Sequence, residues 1–381
     1  MKTKSRLLIL FPVILSFFVM GFVDVVGIAT NYIKADFGLS DSVANLFPSM
    51  VFLWFLLLSV PTSLLMNRIG CRKTVLLSVA ITAVALLLPL IDYSLGMMLI
   101  SFSLLGIGNT LIQVSLNPLL ANIVNGDKLA SSLTLGQLMK AIASFLGPVI
   151  AGWMLLHFGN WLYLFPCFLI VALLVAIWLS AVSIEEQKEE KKSSFVQCFS
   201  LLSDKFILLL FLGIVCHVGM DVGINMTLPK ILMERTGIEL SEAGYASSTY
   251  FLFRTVGCFA GVLILAQCSS RKFFLISIAC LLFGLGGLLF FDNKALLYAS
   301  IVLVGLGNSN IFSIIFSQAL LHKPSKKNEI SGLMIMGISG GAVFPFFMGL
   351  LSDMMTAQLG AVLLLCAGAF YMIYVGMKMR E

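Results

Sequence analysis

The sequence predicts an all-α membrane protein of twelve transmembrane helices in two pseudosymmetric six-helix bundles. Three observations predict it. The 381-residue chain is 60% hydrophobic with a mean hydropathy of +1.05, and only 11% of its residues are Asp, Glu, Lys or Arg. Its Lys and Arg sort onto alternate joints between apolar runs. Its two halves repeat one another at a nearly constant offset.

Composition comes first. A soluble domain carries roughly 25% charged residues because it must cover its surface. This chain cannot do that, so lipid is its expected solvent. A helix needs about 20 mostly apolar residues to cross a bilayer. Only helices and closed barrels satisfy the backbone there. Barrel strands alternate over about 10 residues, and the apolar runs here are longer and continuous.

The runs place spans at 7–33, 43–66, 74–92, 96–122, 129–156, 160–183, 206–230, 242–266, 273–291, 295–320, 329–352 and 356–377. Lys2, Lys4 and Arg6 precede an apolar run that continues past Val26 with no small-residue cleavage site, so a retained first span is expected. The longest polar break, residues 184–205, holds Glu185, Glu186, Lys188, Glu189, Glu190, Lys191 and Lys192. It reads as a cytoplasmic linker between an N-terminal bundle, 1–183, and a C-terminal bundle, 206–381. The eight cysteines are scattered without a CxxC pair, which predicts free thiols.

Charge sets the topology. Eighteen of the 24 Lys and Arg residues fall at the N-terminus, on alternate joints or at the C-terminus, and four, Lys34, Lys230, Arg235 and Lys294, fall on the opposite joints. The positive-inside rule places both termini and the linker in the cytoplasm, which requires an even number of spans. The net charge of +6 therefore reflects topology and predicts no nucleic-acid partner.

The repeat is read residue by residue. Gly106-Ile107-Gly108-Asn109 recurs as Gly305-Leu306-Gly307-Asn308, and Arg72-Lys73 as Arg271-Lys272, both at an offset of 199. Gly21 and Asp24 recur as Gly219 and Asp221, Pro148 and Gly152 as Pro345 and Gly349, and Asp92 as Asp292, at offsets of 197–200. Such internal repeats are common in secondary transporters.

These features resemble the major facilitator superfamily. The joint Ser63-Leu64-Leu65-Met66-Asn67-Arg68-Ile69-Gly70-Cys71-Arg72-Lys73 is similar to its Gly-x-Leu-x-Asp-Arg-x-Gly-Arg-Arg signature, with Ser63, Asn67 and Cys71 departing from it. A narrower resemblance is to the fucose:proton symporter family of sugar transporters. Ile112-Gln113-Val114-Ser115-Leu116-Asn117-Pro118 is similar to Leu-Gln-Val-Ala-Ala-Asn-Pro, and His217-Val218-Gly219-Met220-Asp221-Val222 to Tyr-Val-Gly-x-Glu-Val. Phe253-Arg254-Thr255-Val256-Gly257 matches a Gly-Arg segment loosely. Gln113 stands where the family's namesake has a glutamate, and Asp24 lies about one turn before the family's Asn-Asp pair. The resemblance implies a proton-coupled importer that works by alternating access.

Four charged residues fall inside spans: Asp24, Lys140, Asp221 and Arg254. On insertion scales a central charge costs about 2.5–3.5 kcal/mol, so such residues usually face cavities and partner one another. Burial favours the neutral form of a carboxyl group, which makes Asp24 and Asp221 the candidate proton carriers. Residues four apart share a helix face. Asn109, Gln113 and Asn117 form one stripe, and His217, Asp221 and Asn225 another; Gly21, Asp24 and Asn31 lie roughly together. Amides both donate and accept hydrogen bonds, which suits hydroxylated ligands. The candidate substrate-binding residues are Gln113, Asn117, Lys140, Asn225, Asn109, Arg254, Asn308 and His217. Lys140 is expected to meet Asp24 or a substrate carboxylate. Gly337 occupies the equivalent place in the second half.

The expected partners are a sugar, amino sugar or sugar acid, protons and the lipid bilayer, for a monomer in the inner (plasma) membrane. No P-loop or metal motif is present, so no cofactor, no metal and no enzyme activity are expected. The rival readings are an exporter of drugs or metabolites with the same fold, and a non-transporting receptor or scaffold.

Overall fold

The structure is a computed structural model, and it describes residues 3–39, 43, 46–124, 126–184, 186, 195–238, 243, 245–355 and 357–379. Among these, twelve helical spans are long and apolar enough to cross a membrane. They are span 1 (Ile9–Lys34), span 2 (Met50–Ile69), span 3 (Cys71–Ile91), span 4 (Leu95–Ile123), span 5 (Gly126–Phe158), span 6 (Trp161–Ala181), span 7 (Lys205–Thr236), span 8 (Tyr245–Leu265), span 9 (Ser270–Phe290), span 10 (Lys294–His322), span 11 (Pro324–Ser352) and span 12 (Leu359–Lys378). Large apolar side chains such as Leu156, Phe283 and Phe290 are more than three-quarters exposed, as a lipid-facing surface requires. All eight cysteines are free thiols.

The helix ends extend the sequence repeat. Span 1 runs into Gly38 at φ 60° and span 7 into Gly237 at φ 65°, left-handed residues that end a helix where a side chain would be strained. They are 199 residues apart. At the same offset, Ser94 caps span 4 by accepting from Met97 N, and Asn293 caps span 10 by accepting from Ala295 N and Leu296 N. Span 7 is predicted to stop at 230 but continues to Thr236. Pro229 lies within this helix, and the stop signal is Gly237.

The inner packing repeats too. A Cβ on Gly106 meets the backbone of Val51 at 2.8 Å, and one on Gly305 meets the Tyr250 carbonyl at 2.8 Å. Gly108 packs on the Ser78 carbonyl and Gly307 on that of Ser277. Spans 4 and 10 thus approach spans 2 and 3, and 8 and 9, through matched glycines.

Two spans are interrupted by 3-10 stretches. Span 1 passes through a 3-10 stretch, Gly21–Val25, that contains Asp24. Span 11 passes through Gly337–Ser339, at the repeat position of Lys140. A 3-10 stretch inside a helix often marks a hinge.

The chain forms two compact units. The first comprises Met1–Asn125, Gly136–Leu201 and Lys323–Met336; the second comprises Gly126–Leu135, Leu202–His322 and Gly337–Glu381. The packing that draws in the short pieces is local. In the first unit Ser331 donates to the Val114 carbonyl at 2.6 Å, and Gly332 sits against Ser59 and Ser63. In the second unit Ser131 donates to the Val262 carbonyl at 2.7 Å.

Of the linker predicted at 184–205, residues 185 and 187–194 lie outside the described residues. The rest is ordered onto the first unit as far as Leu201. Glu186 accepts from Cys71 N at 2.5 Å and Arg72 N at 2.8 Å, so its carboxylate caps the N-terminus of span 3. Phe195–Ser200 is a short helix whose Cys198 is buried beside Ser63.

Candidate functional site

In the first unit, Asp24 and Lys140 come together. Lys140 Nζ lies 3.9 Å from Asp24 Oδ2, with the side chains 24% and 40% exposed. Ser144, one turn beyond Lys140, donates to Asp24 Oδ2 at 2.5 Å. A Cβ on Gly21 lies 2.6 Å from the Lys140 carbonyl and 2.7 Å from Ala143, so the bare glycine lets span 1 touch the backbone of span 5. That close approach sets Asp24 opposite Lys140.

Span 4 braces the same place with amides. Asn109 donates to the Met20 carbonyl at 2.6 Å, just before the 3-10 stretch. Gln113 donates to Asn109 Oδ1 at 2.6 Å, and Asn117 donates to the Gln113 carbonyl at 3.0 Å. The predicted stripe is therefore a hydrogen-bonded ladder, anchored to span 1 at one end. Its other end, Asn117 Oδ1, is buried with no partner among the described residues. The side chain of Asn31 lies outside the described residues.

In the second unit Asp221 is held from three sides. Arg254 Nη1 lies 3.1 Å from Asp221 Oδ2, with side chains 30% and 19% exposed. The Tyr250 hydroxyl donates to Asp221 Oδ1, and Asn308 Nδ2 donates to Asp221 Oδ1 at 3.1 Å and to Tyr250 Oη at 2.7 Å. His217 is buried one turn before Asp221, and its Nδ1 has no partner among the described residues. Asn225, one turn after, is half-buried, and its carbonyl accepts from Ser247.

Every predicted site residue thus falls in one of two clusters or on the helix turns beside it. Sequence reasoning missed Tyr250 as a member of the second. The available signal was its position one turn before Arg254 on span 8.

The signature joint is also explained. Arg72 donates to the carbonyls of Leu179 at 3.0 Å and Ser180 at 2.5 Å, holding the C-terminus of span 6. Asn67 donates to Glu329 Oε1 at 3.1 Å and accepts from Asn328 at 2.6 Å. The carboxylate absent at 67 is present on the other side of this contact, at Glu329, which Lys326 Nζ approaches to 3.3 Å.

Comparison with known proteins agrees with this architecture. Residues 12–345 match the Major Facilitator Superfamily. A glucose/galactose transporter of Brucella abortus is 25% identical over 383 residues, covering 94% of this chain and 91% of that protein. A quinolone resistance transporter of Acinetobacter baumannii is 23% identical over 384 residues, covering 90% and 87%. The Escherichia coli fucose:proton symporter has the same fold, with a TM-score of 0.84 at 16% identity over 99% of this chain and 100% of that one. The family match spans most of the chain, its fold is that of membrane transporters and not of an enzyme, and the chain belongs to the Major Facilitator Superfamily.

Proposed function

We propose that this protein is a proton-coupled importer of a sugar or sugar derivative, working by alternating access. The observation that carries the reading is the charge inside the membrane: each repeat holds one carboxylate, Asp24 or Asp221, paired with a base from another span. Intramembrane ion pairs of this kind mark ion and substrate pathways. Each carboxylate is a candidate to take a proton when its pair opens. The sugar reading is supported by the near-full-length likeness to a glucose/galactose transporter and, within each unit, by amides that match hydroxyl groups: Gln113 and Asn117 in the first, Asn225 and Asn308 in the second. Asn109, Arg254 and His217 complete the polar set. The two bundles, 1–183 and 206–381, joined by 184–205, are the alternating halves. The protein is a monomer in the inner membrane, with its basic joints and both termini in the cytoplasm.

The test is uptake of labelled hexoses by proteoliposomes with and without an inward proton gradient. Accumulation above equilibrium that collapses with the gradient supports the reading. A second reading, a drug exporter, is favoured by the likeness to a quinolone resistance transporter. Quinolone efflux without hexose uptake selects it. Neither activity in a folded, reconstituted protein leaves a receptor or scaffold.

A further inference from the structure

We infer that the substrate held at Lys140 is a sugar acid, whose carboxylate replaces Asp24 at the Lys140 ammonium while Asp24 takes up a proton. This rests on the sugar-transport reading above and narrows its substrate class.

The argument starts from how differently the two ion pairs are made. Arg254 and Asp221 meet at 3.1 Å, and Tyr250 and Asn308 also donate to that carboxylate. Asp24 and Lys140 meet at only 3.9 Å, beyond hydrogen-bond reach. Among the described residues no hydrogen bond is formed by the Lys140 ammonium, which has three donors to offer. Its side chain is partly exposed, yet it lies deep in span 5, about 14 residues from the Gly126 end, or roughly 21 Å along the helix. An ammonium with unused donors, far from either end of its helix, is suited to an anion. The carboxylate of a sugar acid has the charge, and the sugar is carried over from the reading above.

Asp24 is equipped for the exchange. Ser144 donates to the same Oδ2 that faces Lys140, and Gly21 locks the backbone of span 1 onto span 5. Asp24 therefore keeps a partner and its place when the ammonium turns to another carboxylate. Once Asp24 is protonated, the Ser144 hydroxyl can rotate to accept its O–H.

Charge balance supplies the coupling. Spans 4 and 6 pack on this part of span 1, and neither carries an Asp, Glu, Lys, Arg or His. On span 5 itself the other titratable side chains are at its ends: Asp127 and Lys128 in the first turn, and His157 in the last, bonded to the Trp153 carbonyl. Asp24 and Lys140 together are neutral. An incoming carboxylate alone leaves one uncompensated negative charge in a medium of low dielectric, which is costly. One proton from the medium on Asp24 restores neutrality: a neutral acid, one ammonium and one substrate carboxylate. No covalent bond to the substrate is made or broken, and Lys140 keeps its protons throughout. The result is electroneutral symport of one proton with one sugar acid.

The repeat agrees with a binding role. The position equivalent to Lys140 in the second half is Gly337, which opens a 3-10 stretch and packs against Ile214. The scaffold works there without a charge, so the lysine is an addition to one half.

The experiment is proteoliposome uptake of labelled glucuronate and galacturonate beside glucose and galactose, with pH gradient and membrane potential set independently. The expected result is uptake of a uronate driven by the pH gradient and unaffected by potential, with one proton per molecule. Lys140→Gln should lower uronate kcat/KM about 100-fold, and Lys140→Arg should recover much of it. In case Lys140→Gln fails to fold alone, the charge-neutral pair Asp24→Asn with Lys140→Gln serves as the second variant and should also lose uronate uptake. Hexose uptake that neither uronate inhibits overturns this inference and leaves sugar transport standing. So does wild-type uronate uptake in the neutral pair. Uptake of neither sugar class by folded protein overturns both readings.

Discussion

Asn109 and Asn308 occupy the same position in the two repeats, yet one binds backbone and the other binds charge. Asn109 donates to the Met20 carbonyl, whereas Asn308 donates to the Asp221 carboxylate and the Tyr250 hydroxyl. The duplication kept the amide and changed its work. The first amide steadies a break in span 1; the second orients an ion pair.

The two alanine variants should therefore differ. Asn109→Ala leaves the Met20 carbonyl and the Gln113 amide without their partner, at about 1–3 kcal/mol of stability. Thermal unfolding of the detergent-purified protein should show a clear loss. Asn308→Ala takes a donor from a charge that Arg254 and Tyr250 still hold, so its larger effect should be on the pH dependence of transport. A variant Asn308→Ala with an unchanged pH profile would contradict this division.

Asp221 is the harder residue to remove. Asp221→Asn leaves Arg254 without its counter-charge, and breaking a fully buried pair costs about 3–5 kcal/mol. Both side chains here are partly exposed, so a smaller loss, about 1–2 kcal/mol, is expected after solvent screening. Uphill accumulation should vanish while equilibrium exchange of substrate persists. Replacing both residues, Asp221→Asn with Arg254→Gln, should be better tolerated than either alone. Counterflow and uptake in the three variants decide it; unimpaired uphill uptake in Asp221→Asn would remove this residue from the coupling.

The spans were legible because each one is a continuous apolar run, and the four charges within them because a charge inside such a run is costly; the pairing of Arg254 with Asp221 was not legible, because it depends on how spans 7 and 8 pack. Lys140 stood out on depth alone, and its partner followed from the resemblance to a known fold. Tyr250 and Ser144 did not stand out, because hydroxyl side chains are common in apolar helices and only packing shows which of them meet a carboxylate. In the sequence Glu186 is one acid of a charged linker. Its capping of span 3 depends on where the chain returns after span 6, a long-range fact that no local pattern carries. The 3-10 stretch at Gly21–Val25 was hidden for a related reason: a glycine in a membrane helix signals close packing as readily as a break.

Restoring the family's aspartate at 67 should harm this protein. Asn67 uses its amide as both donor and acceptor, toward Glu329 and Asn328. Asn67→Asp replaces the donor with a second carboxylate beside buried Glu329, where like charges repel. The expected cost is about 1–3 kcal/mol. The double variant Asn67→Asp with Glu329→Gln should recover most of it. Thermal unfolding midpoints with no difference between Asn67→Asp and the wild type would show that the Asn67 amide is not needed beside Glu329.

The last prediction concerns the part of span 1 beyond its 3-10 stretch, Val26–Phe37. One end of this segment is set by the packing of Gly21 on span 5. The other end is clamped by Asp36, whose Oδ2 accepts from Tyr93 Oη at 2.6 Å and from Trp161 Nε1 at 3.1 Å. Tyr32 stacks on Trp161 with ring centroids 5.1 Å apart. Burial, then the Asp36 carboxylate, pushes the Tyr93 phenol above its ordinary range. A raised phenol is a donor while protonated, so its contribution is complete below pH about 10 and is lost only in stronger alkali. The Tyr93 donor should therefore be unaffected by pH across the neutral range. Asp36→Ala removes the acceptor of both bonds and should cost about 1 kcal/mol, since the carboxylate is exposed. Tyr93→Phe removes one donor and should cost less. Hydrogen exchange read by mass spectrometry should rise across residues 26–37 in Asp36→Ala and to a smaller degree in Tyr93→Phe, while residues in span 4 keep their protection. Unchanged exchange in residues 26–37 of Asp36→Ala would mean that packing of Tyr32 and Trp161, and not the carboxylate, holds the segment.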